Sequence, residues 1–216
     1  LRYYEDLQRR GEIAAPGWSP AKISFALCLE ADGRLMQVVS LKGEETVGKK
    51  TVLRPQSMIL PAAVQKTSGA SSNFLWENSG YLLGIKQGED AGRSLKCFST
   101  AAELHHRILD GVESPVARAI LAFFDTWQPE SAAACPALAE QLEEVISGEN
   151  LLFRVESRYP QEDAAIRAAW ERHREESGDD SVRMQCLVTG REDEIAVVHP
   201  AIKGVRDAQS SGAALV

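Results

Sequence analysis

A chain of 216 residues, of which 44% are apolar and 25% charged, can bury a hydrophobic core, and this excludes wholesale disorder. The formal net charge of −7 excludes a protein coated in basic surface but leaves room for a local basic patch. The sequence contains neither a recognisable signal peptide nor an apolar run of about 18 residues, so we expect a cytoplasmic protein without membrane contact.

Strand signals dominate the first part of the chain, after a predicted helix over residues 2–10 that Gly11 ends. ISFALCLE and RLMQVVSL predict a β-hairpin, because both segments are rich in β-formers and Asp32-Gly33 between them is a strong turn signal. The runs TVLRP and SMILP, each ended by proline, predict strands or edge strands.

Helix signals follow. A helix is predicted to begin at CFST and to run through STAAELHHRILDG, where Thr100 and Glu103 have the spacing of a capping box. Ser114 and Pro115 have the order of an N-cap and a first helical residue for SPVARAILAFFDTW. The buried stripe of that helix is predicted to consist of Ile120, Phe123, Phe124 and Trp127. PALAEQLEEVISG predicts a third helix.

The end of the chain predicts strand, helix and strand in LLFRVESRY, EDAAIRAAWERHREE and VRMQCLVTG. The fold class expected is α+β, with a mixed or antiparallel β-rich N-terminal half containing the hairpin, then a helical segment and a strand–helix–strand portion. A seam near residues 96–98 divides a β-rich segment with a basic Gly/Ser loop (1–97) from a helical and α/β segment (98–216). Because the chain starts at Leu1 and ends in a strand-like AALV, we expect one N-terminal domain of a longer subunit, truncated at its C-terminus.

The sequence does not predict an enzyme. It lacks a P-loop, G-x-S-x-G and H-E-x-x-H, so neither catalysis nor a cofactor is expected. The four cysteines are widely spaced without C-x-x-C, which is typical of a reduced protein. Cys186 and His199 supply only two of the four ligands of a structural zinc site. His105 and His106 point about 100° apart on a helix, so we expect surface or half-buried packing instead of a shared metal.

Two Gly/Ser-rich loops beside positive charges form the candidate binding site. Residues 41–96 carry eight Lys/Arg and five Asp/Glu, whereas residues 97–180 have a net charge of −10. Loop one is defined as residues 66–73 and loop two as residues 203–212. Short polar side chains and uncovered backbone N–H groups suit contact with phosphates and base edges, although solvated turns have the same composition. The DNA-binding residues predicted are Lys66, Ser68, Gly69, Ser71, Ser72, Asn73, Lys203, Gly204, Arg206, Gln209, Ser210 and Ser211.

Five blocks of the sequence resemble a known family. They are RYYEDLQRRGEIAAPGWSPAKISFALCLEADGRL, GKKTVLRPQSMILP, SGASSNFLWENSGYLLGI, MQCLVTG and HPAIKGVRDAQSSGAALV. Together they are similar to the N-terminal part of the large subunit of the type I-C CRISPR surveillance complex (Cascade), from one end of the chain to the other. Asp207 is a departure, because the family is expected to have glycine there.

The resemblance implies a DNA-recognition role. The subunit would recognise a TTC-like protospacer-adjacent motif in duplex DNA and help to open the duplex, while the guide RNA reads the target sequence. The partners implied are the guide RNA, target double-stranded DNA, backbone and foot subunits of the same complex, a helicase-nuclease recruited after target binding, and inhibitor proteins that could target the complex.

Two other interpretations stay open. The chain could be a structural bridge that holds the 5′ end of the guide RNA and neighbouring subunits, or, more remotely, a metal-dependent nuclease. Loop substitutions that abolish motif-dependent DNA binding favour the first interpretation. Substitutions that prevent assembly favour the bridge, and metal-dependent cleavage by the purified chain favours the nuclease.

Overall fold

The structure is a computed structural model that describes residues 14–48, 50–64, 69–177, 183–185, 190 and 192–194. Its strands are β1 (Trp18–Ile23), β2 (Phe25–Leu29), β3 (Leu35–Ser40), β4 (Gly43–Val47), β5 (Lys50–Arg54), β6 (Gln56–Pro61), β7 (Trp76–Asn78), β8 (Asn150–Val155), β9 (Arg183–Gln185) and β10 (Glu192–Glu194). Its α-helices are α1 (Ser79–Leu82), α2 (Ala91–Leu109), α3 (Pro115–Thr126), α4 (Leu142–Ile146) and α5 (Ala164–Ser177). Two 3-10 helices span Pro129–Ala134 and Pro160–Glu162. This is the mixed α+β arrangement that the sequence predicts, whereas the helix predicted over residues 2–10 lies outside the described residues.

The chain forms two compact units. One comprises residues 2–174, and the other comprises residues 175–216 together with Leu1. In the second unit, β9 and β10 form an antiparallel hairpin in which Gln185 donates from Nε2 to the Gly190 carbonyl at 2.9 Å. This hairpin contains part of the predicted strand VRMQCLVTG.

A four-stranded sheet in the order β3-β2-β8-β7 lies at the centre of the first unit. The predicted hairpin is confirmed, because β2 and β3 pair antiparallel through the Asp32-Gly33 turn. On its other side β2 pairs in parallel with β8, and β8 pairs antiparallel with β7. All five residues of β2 are buried, which explains why its sequence FALCL is apolar throughout instead of alternating.

Two antiparallel ribbons accompany the sheet. β1 pairs with β6, and β4 pairs with β5, so the predicted strands TVLRP and SMILP are found in β5 and β6. The turn that joins β4 to β5 includes Gly48, at φ +65°. The side chains described in the β4–β5 ribbon are exposed, apart from the half-buried Val52. The central sheet therefore supplies the core, and the β4–β5 ribbon contributes little to it.

The longest helix, α2, begins earlier than the sequence predicts. Its N-cap is Asp90, whose side chain accepts a hydrogen bond from Arg93 N–H at 3.1 Å. The predicted capping box is therefore wrong: Thr100 lies within the helix, and its hydroxyl donates to the Lys96 carbonyl. α2 also runs through residues 96–98, the position of the predicted seam.

The three other helices predicted within the described residues are found, whereas the short helix α1 was not predicted. Ser114 caps α3 by accepting from the Val116 and Ala117 N–H groups, with Pro115 as the first helical residue. Of the predicted stripe on α3, Ile120, Phe123 and Phe124 are buried and Trp127 is half-buried. The third predicted helix is much shorter than expected, because only Leu142–Ile146 is α-helical and the residues before it form turns. Among the helices described, none is long and apolar enough to cross a membrane.

Candidate nucleic-acid interface

The predicted DNA-binding residues differ in how far the structure describes them. Lys66 and Ser68 of loop one lie outside the described residues. So do all the predicted residues of loop two: Lys203, Gly204, Arg206, Gln209, Ser210 and Ser211. Within loop one, Gly69 is exposed, Ser71 is half-buried, and Ser72 and Asn73 are buried. DNA contact by these residues stays a prediction, and the structure shows what holds the loop.

Side-chain hydrogen bonds join the segment before loop one to the residues at its C-terminal end and beyond. The Asn73 side chain accepts from Val64 N–H through Oδ1 at 2.9 Å, and so joins the end of the loop to the segment before it. Close by, Trp76 Nε1 donates to the Pro61 carbonyl at 2.9 Å. Both bonds join the end of β6 to the start of β7 across the loop. Only the middle of loop one is therefore free of these constraints among its described residues.

A buried polar cluster fixes the C-terminal end of loop one. Glu77 is 3% exposed, and its carboxylate accepts from the N–H groups of Asn73 and Asn78 at 3.5 and 2.9 Å. Tyr81 is also buried and hydrogen-bonds to the Ser71 backbone. Burial, and then the neighbouring Cys97 and Glu77, raise the pKa of Tyr81 to about 12, so its hydroxyl keeps its proton in neutral solution.

The backbone that leaves loop one is strained and braced by a histidine. Leu75 has φ +71°, a left-handed conformation that costs a residue with a side chain about 1 kcal/mol or more. Its N–H donates to His105 Nε2 at 3.0 Å, while His105 Nδ1 lies 2.7 Å from the Ala101 carbonyl and therefore carries the proton. The imidazole thus holds α2 and Leu75 together through both of its nitrogens.

His105 is completely buried, so the prediction of surface or half-buried packing is wrong for this residue. Its ring packs against Phe74, Phe124 and Phe153, with ring centroids 4.7 to 5.9 Å apart. Burial lowers the pKa of His105 to about 4, and the imidazole is neutral at physiological pH. A signal for this burial was present in the sequence: Cys97, Ala101 and His105 are spaced four residues apart on one helix face.

The neighbouring His106 behaves differently, because it links α2 to α3 at the surface. Its Nδ1 lies 3.1 Å from Asp110 and its Nε2 lies 3.0 Å from Asp125. Partial burial lowers its pKa, but hydrogen bonds and charge attraction to the two carboxylates outweigh burial and leave the pKa raised. In the part of the chain that the structure describes, no group of three or more His, Cys, Asp or Glu residues is arranged to hold a metal ion.

Replacing Asp125 with asparagine should destabilise the protein in a pH-dependent way. Because the folded-state pKa of His106 is raised, its pairing stabilises the fold fully below the unfolded pKa of about 6.5 and is lost as the pH rises through the folded value. We expect Asp125→Asn to lower the free energy of unfolding by about 0.5 kcal/mol at pH 6 and by almost nothing at pH 9, in urea titrations. Glu103→Gln, at an exposed acid on the same helix α2, is the control. A loss that is equal at both pH values would contradict a charged His106.

The basic side chains of the strand-rich segment fall into two groups. Lys42 contacts Glu144 and Glu149, and Arg54 lies 3.2 Å from Glu45. Lys22 on β1 and Lys50 on β5 are exposed and have no ion pair with any described residue. These two cations lie on ribbons β1–β6 and β4–β5, and the chain passes from β5 through β6 into loop one. Neither lysine is among the DNA-binding residues predicted from the sequence, although Lys50 belongs to the basic segment 41–96.

The arrangement can offer unneutralised cations and open backbone to a polyanion. Gly69 is exposed at φ +88°, and a Cβ built on it would meet no atom within 4 Å, so the backbone there is accessible. The open side of loop one and the two unpaired lysines are thus accessible to phosphates, whereas Ser72 and Asn73 are committed to the interior.

Comparison with known proteins identifies the family. No curated protein matches the chain. The family model of a CRISPR-associated protein, Cas_Csd1, matches residues 1–216. The resemblance to a CRISPR subunit that the sequence blocks indicated is thereby confirmed, and the chain belongs to the Cas_Csd1 family of CRISPR-associated proteins.

Proposed function

We propose that the chain is the N-terminal part of the non-catalytic large subunit of a type I-C CRISPR surveillance complex. In this role it recognises the protospacer-adjacent motif in duplex DNA and helps to open the duplex for pairing with the guide RNA. The observation that carries the proposal is the architecture of loop one, in which Ser72 and Asn73 are held in the interior while Gly69 is exposed within the basic segment. An anchored loop can approach DNA without a large loss of conformational entropy.

The charge of the chain is consistent with a protein that contacts DNA at only a few positions. In RNA-guided recognition, base pairing reads the target and the protein contacts only a short flanking motif and the DNA backbone. A protein with a net charge of −7 and a basic segment needs only a few local phosphate contacts for this task. The helicase-nuclease, as a separate partner, would supply cleavage, so the proposal requires no catalytic residue in this chain.

A structural bridge is the second candidate, because the burial of Ser72 and Asn73 leaves fewer of the predicted residues open to DNA. Both residues are 4% exposed, and the Asn73 side chain is occupied by Val64 N–H. Substitutions at these two positions would disturb the fold and hence assembly, without involving DNA. Asn73→Ala therefore distinguishes the two functions less well than a change at Lys66.

The test compares DNA binding by assembled complexes that carry Lys66→Ala or Lys203→Ala. Each change should weaken binding to closed, motif-bearing duplex by about 1–3 kcal/mol, the range of a good base contact. The loss should be smaller on a target already opened at the motif, because strand separation is no longer required. Affinities on the two targets are measured at one salt concentration, since phosphate contacts depend on salt.

The matched control is Lys96→Ala, which removes an exposed lysine from α2. It should leave both affinities unchanged. Equal losses of affinity on closed and opened targets would indicate that Lys66 and Lys203 are general phosphate contacts. Unchanged affinity on both targets would indicate that both loops are solvated turns. Failure of the complexes to assemble would favour the bridge.

A further inference from the structure

Among the described strands, β3 lies at one edge of the central sheet. It pairs with β2 on one side, and no strand among the described residues pairs with it on the other. Its sequence, LMQVVS, contains no charge and no proline, and the Met36 side chain is 46% exposed. A register shift opposite Cys28 and Leu29 lies at the start of β3 and leaves the rest of the strand regular. Natural proteins usually protect such edges with charges, prolines or a covering segment.

The hydrogen-bonding groups on this edge can be assigned from the register. Leu41 N–H donates to the Ser24 carbonyl at 2.8 Å, and alternate residues of an antiparallel ladder point to opposite sides. Val39 and Gln37 therefore also face β2, while the N–H and C=O groups of Val38 and Ser40 point away from it. No described residue takes up these outward groups. The edge thus presents donors and acceptors with the spacing of a strand.

A groove of mixed polar and apolar lining lies beside the start of β3. It measures about 630 Å³ and lies between the β2–β3 turn and the end of α3. Its lining combines the apolar side chains of Leu35, Met36 and Trp127 with the charged side chains of Asp32 and Arg34. A strand added along β3 would pass this groove, which can receive an apolar side chain from it. The edge supplies backbone pairing and the groove supplies side-chain specificity, the two components of recognition by strand addition.

We propose that β3 accepts an extended, uncharged strand from a neighbouring protein subunit of the CRISPR complex. A nucleic acid backbone offers acceptors but too few donors to satisfy the outward carbonyl groups, and β3 has no cation for its phosphates. A second copy of the chain, paired antiparallel about Val38, would place its Lys42 opposite Arg34 of the first copy, and like charges directly opposite each other destabilise a strand pair. A different protein strand fits both the edge and the groove. The proposal rests on family membership and is independent of motif recognition.

The test is amide hydrogen exchange. The free chain and the assembled complex are each labelled, and the chain is then dissociated before its amides are read. The Val38 and Ser40 amides should exchange rapidly in the free chain and at least about tenfold more slowly in the complex without DNA. The Gln37 and Val39 amides, which face β2, should be protected in both states and serve as the internal control.

Ser40→Pro provides an independent test, because proline removes an outward donor and is tolerated where the N–H faces away from the sheet. It should leave the urea midpoint of the free chain unchanged but reduce incorporation into the complex at least about tenfold. Ser40→Ala also loses the hydroxyl that accepts from Lys42 N–H, but it keeps the donor and should assemble normally.

Four outcomes would overturn the proposal. Rapid exchange of Val38 and Ser40 in the assembled complex would mean that the edge stays open. Protection in the free chain at every concentration would assign the edge to a segment of the chain itself. Protection that grows with chain concentration would indicate a second copy, and protection that appears only with DNA would indicate nucleic acid.

Discussion

Gly33→Ala is expected to lower the free energy of unfolding by about 3 kcal/mol or more. Gly33 has φ +87° in the β2–β3 turn, and a Cβ built there would lie 2.5 Å from Phe123 N and 2.7 Å from the Ala119 carbonyl oxygen. Both atoms belong to the α3 backbone, so relief of the clash would require the turn and the helix to separate. Backbone strain and overpacking each contribute about 1–3 kcal/mol in such cases. The measurement is urea unfolding of the purified chain.

Gly111→Ala is the matched control for this substitution. Gly111 has φ +77°, close to the value at Gly33, but a Cβ there would meet no atom within 4 Å. Gly111→Ala should therefore lower the free energy of unfolding only by the cost of placing alanine in a left-handed conformation, about 1 kcal/mol. Equal losses in the two variants would show that the close approach of the turn to α3 does not limit stability.

His105→Leu is expected to lower the free energy of unfolding at neutral pH by about 2–4 kcal/mol, a loss similar to that of Gly33→Ala. Leucine fills part of the space among Phe74, Phe124 and Phe153 but cannot accept the hydrogen bond from Leu75. A buried N–H left without a partner costs about 1–3 kcal/mol. The left-handed backbone at Leu75 also loses the hydrogen bond that stabilises it. Unfolding in urea at pH 7.5 measures the loss.

The same residue should make the fold sensitive to acid. The pKa of His105 is about 4 in the folded state, below the unfolded value of about 6.5, so unfolding takes up a proton between these values. The stability contributed by neutral His105 is complete above pH 6.5 and is lost as the pH falls toward 4, a change of about 3 kcal/mol.

The difference between wild type and His105→Leu isolates this acid sensitivity, because His106 titrates in both proteins with the opposite sign. We expect the difference in free energy of unfolding between wild type and His105→Leu to decrease as the pH falls from 6.5 to 4. A difference in free energy of unfolding that stays constant over this pH range would show that His105 does not titrate within it.

Local features of the fold could be predicted from the sequence because their signals are local. Asp32-Gly33 between two β-rich runs predicts the hairpin, and Ser114-Pro115 before an apolar stripe predicts the start of α3. The start of α2 was missed, because its first residues, AGRSLK, are polar, contain a glycine and lack a continuous apolar stripe. Propensity is weak at such positions, and the side-chain cap from Asp90 decides where the helix begins.

The candidate site was less predictable, because composition cannot show which polar residues turn inward. Ser72 and Asn73 have the same small, polar character as Gly69 and Ser71, but they are buried by contacts with residues before and after the loop. The parallel pairing of β2 with β8 leaves no local signature, since its partners are far apart in sequence. Lys22 and Lys50 became candidates only when the ion pairs of the other cations were known.

The parallel pairing of β2 with β8 also has a consequence for how the chain folds during synthesis. The Ser24 hydroxyl, immediately before β2, donates to Glu149, which is 125 positions later in the chain. At about 5–20 residues per second, a ribosome would need roughly 6–25 s to make the intervening segment. During that time β2 and β3 exist without the strand that completes the core. The apolar face of the nascent hairpin is therefore exposed for seconds, and it is a natural substrate for a chaperone that acts at the ribosome.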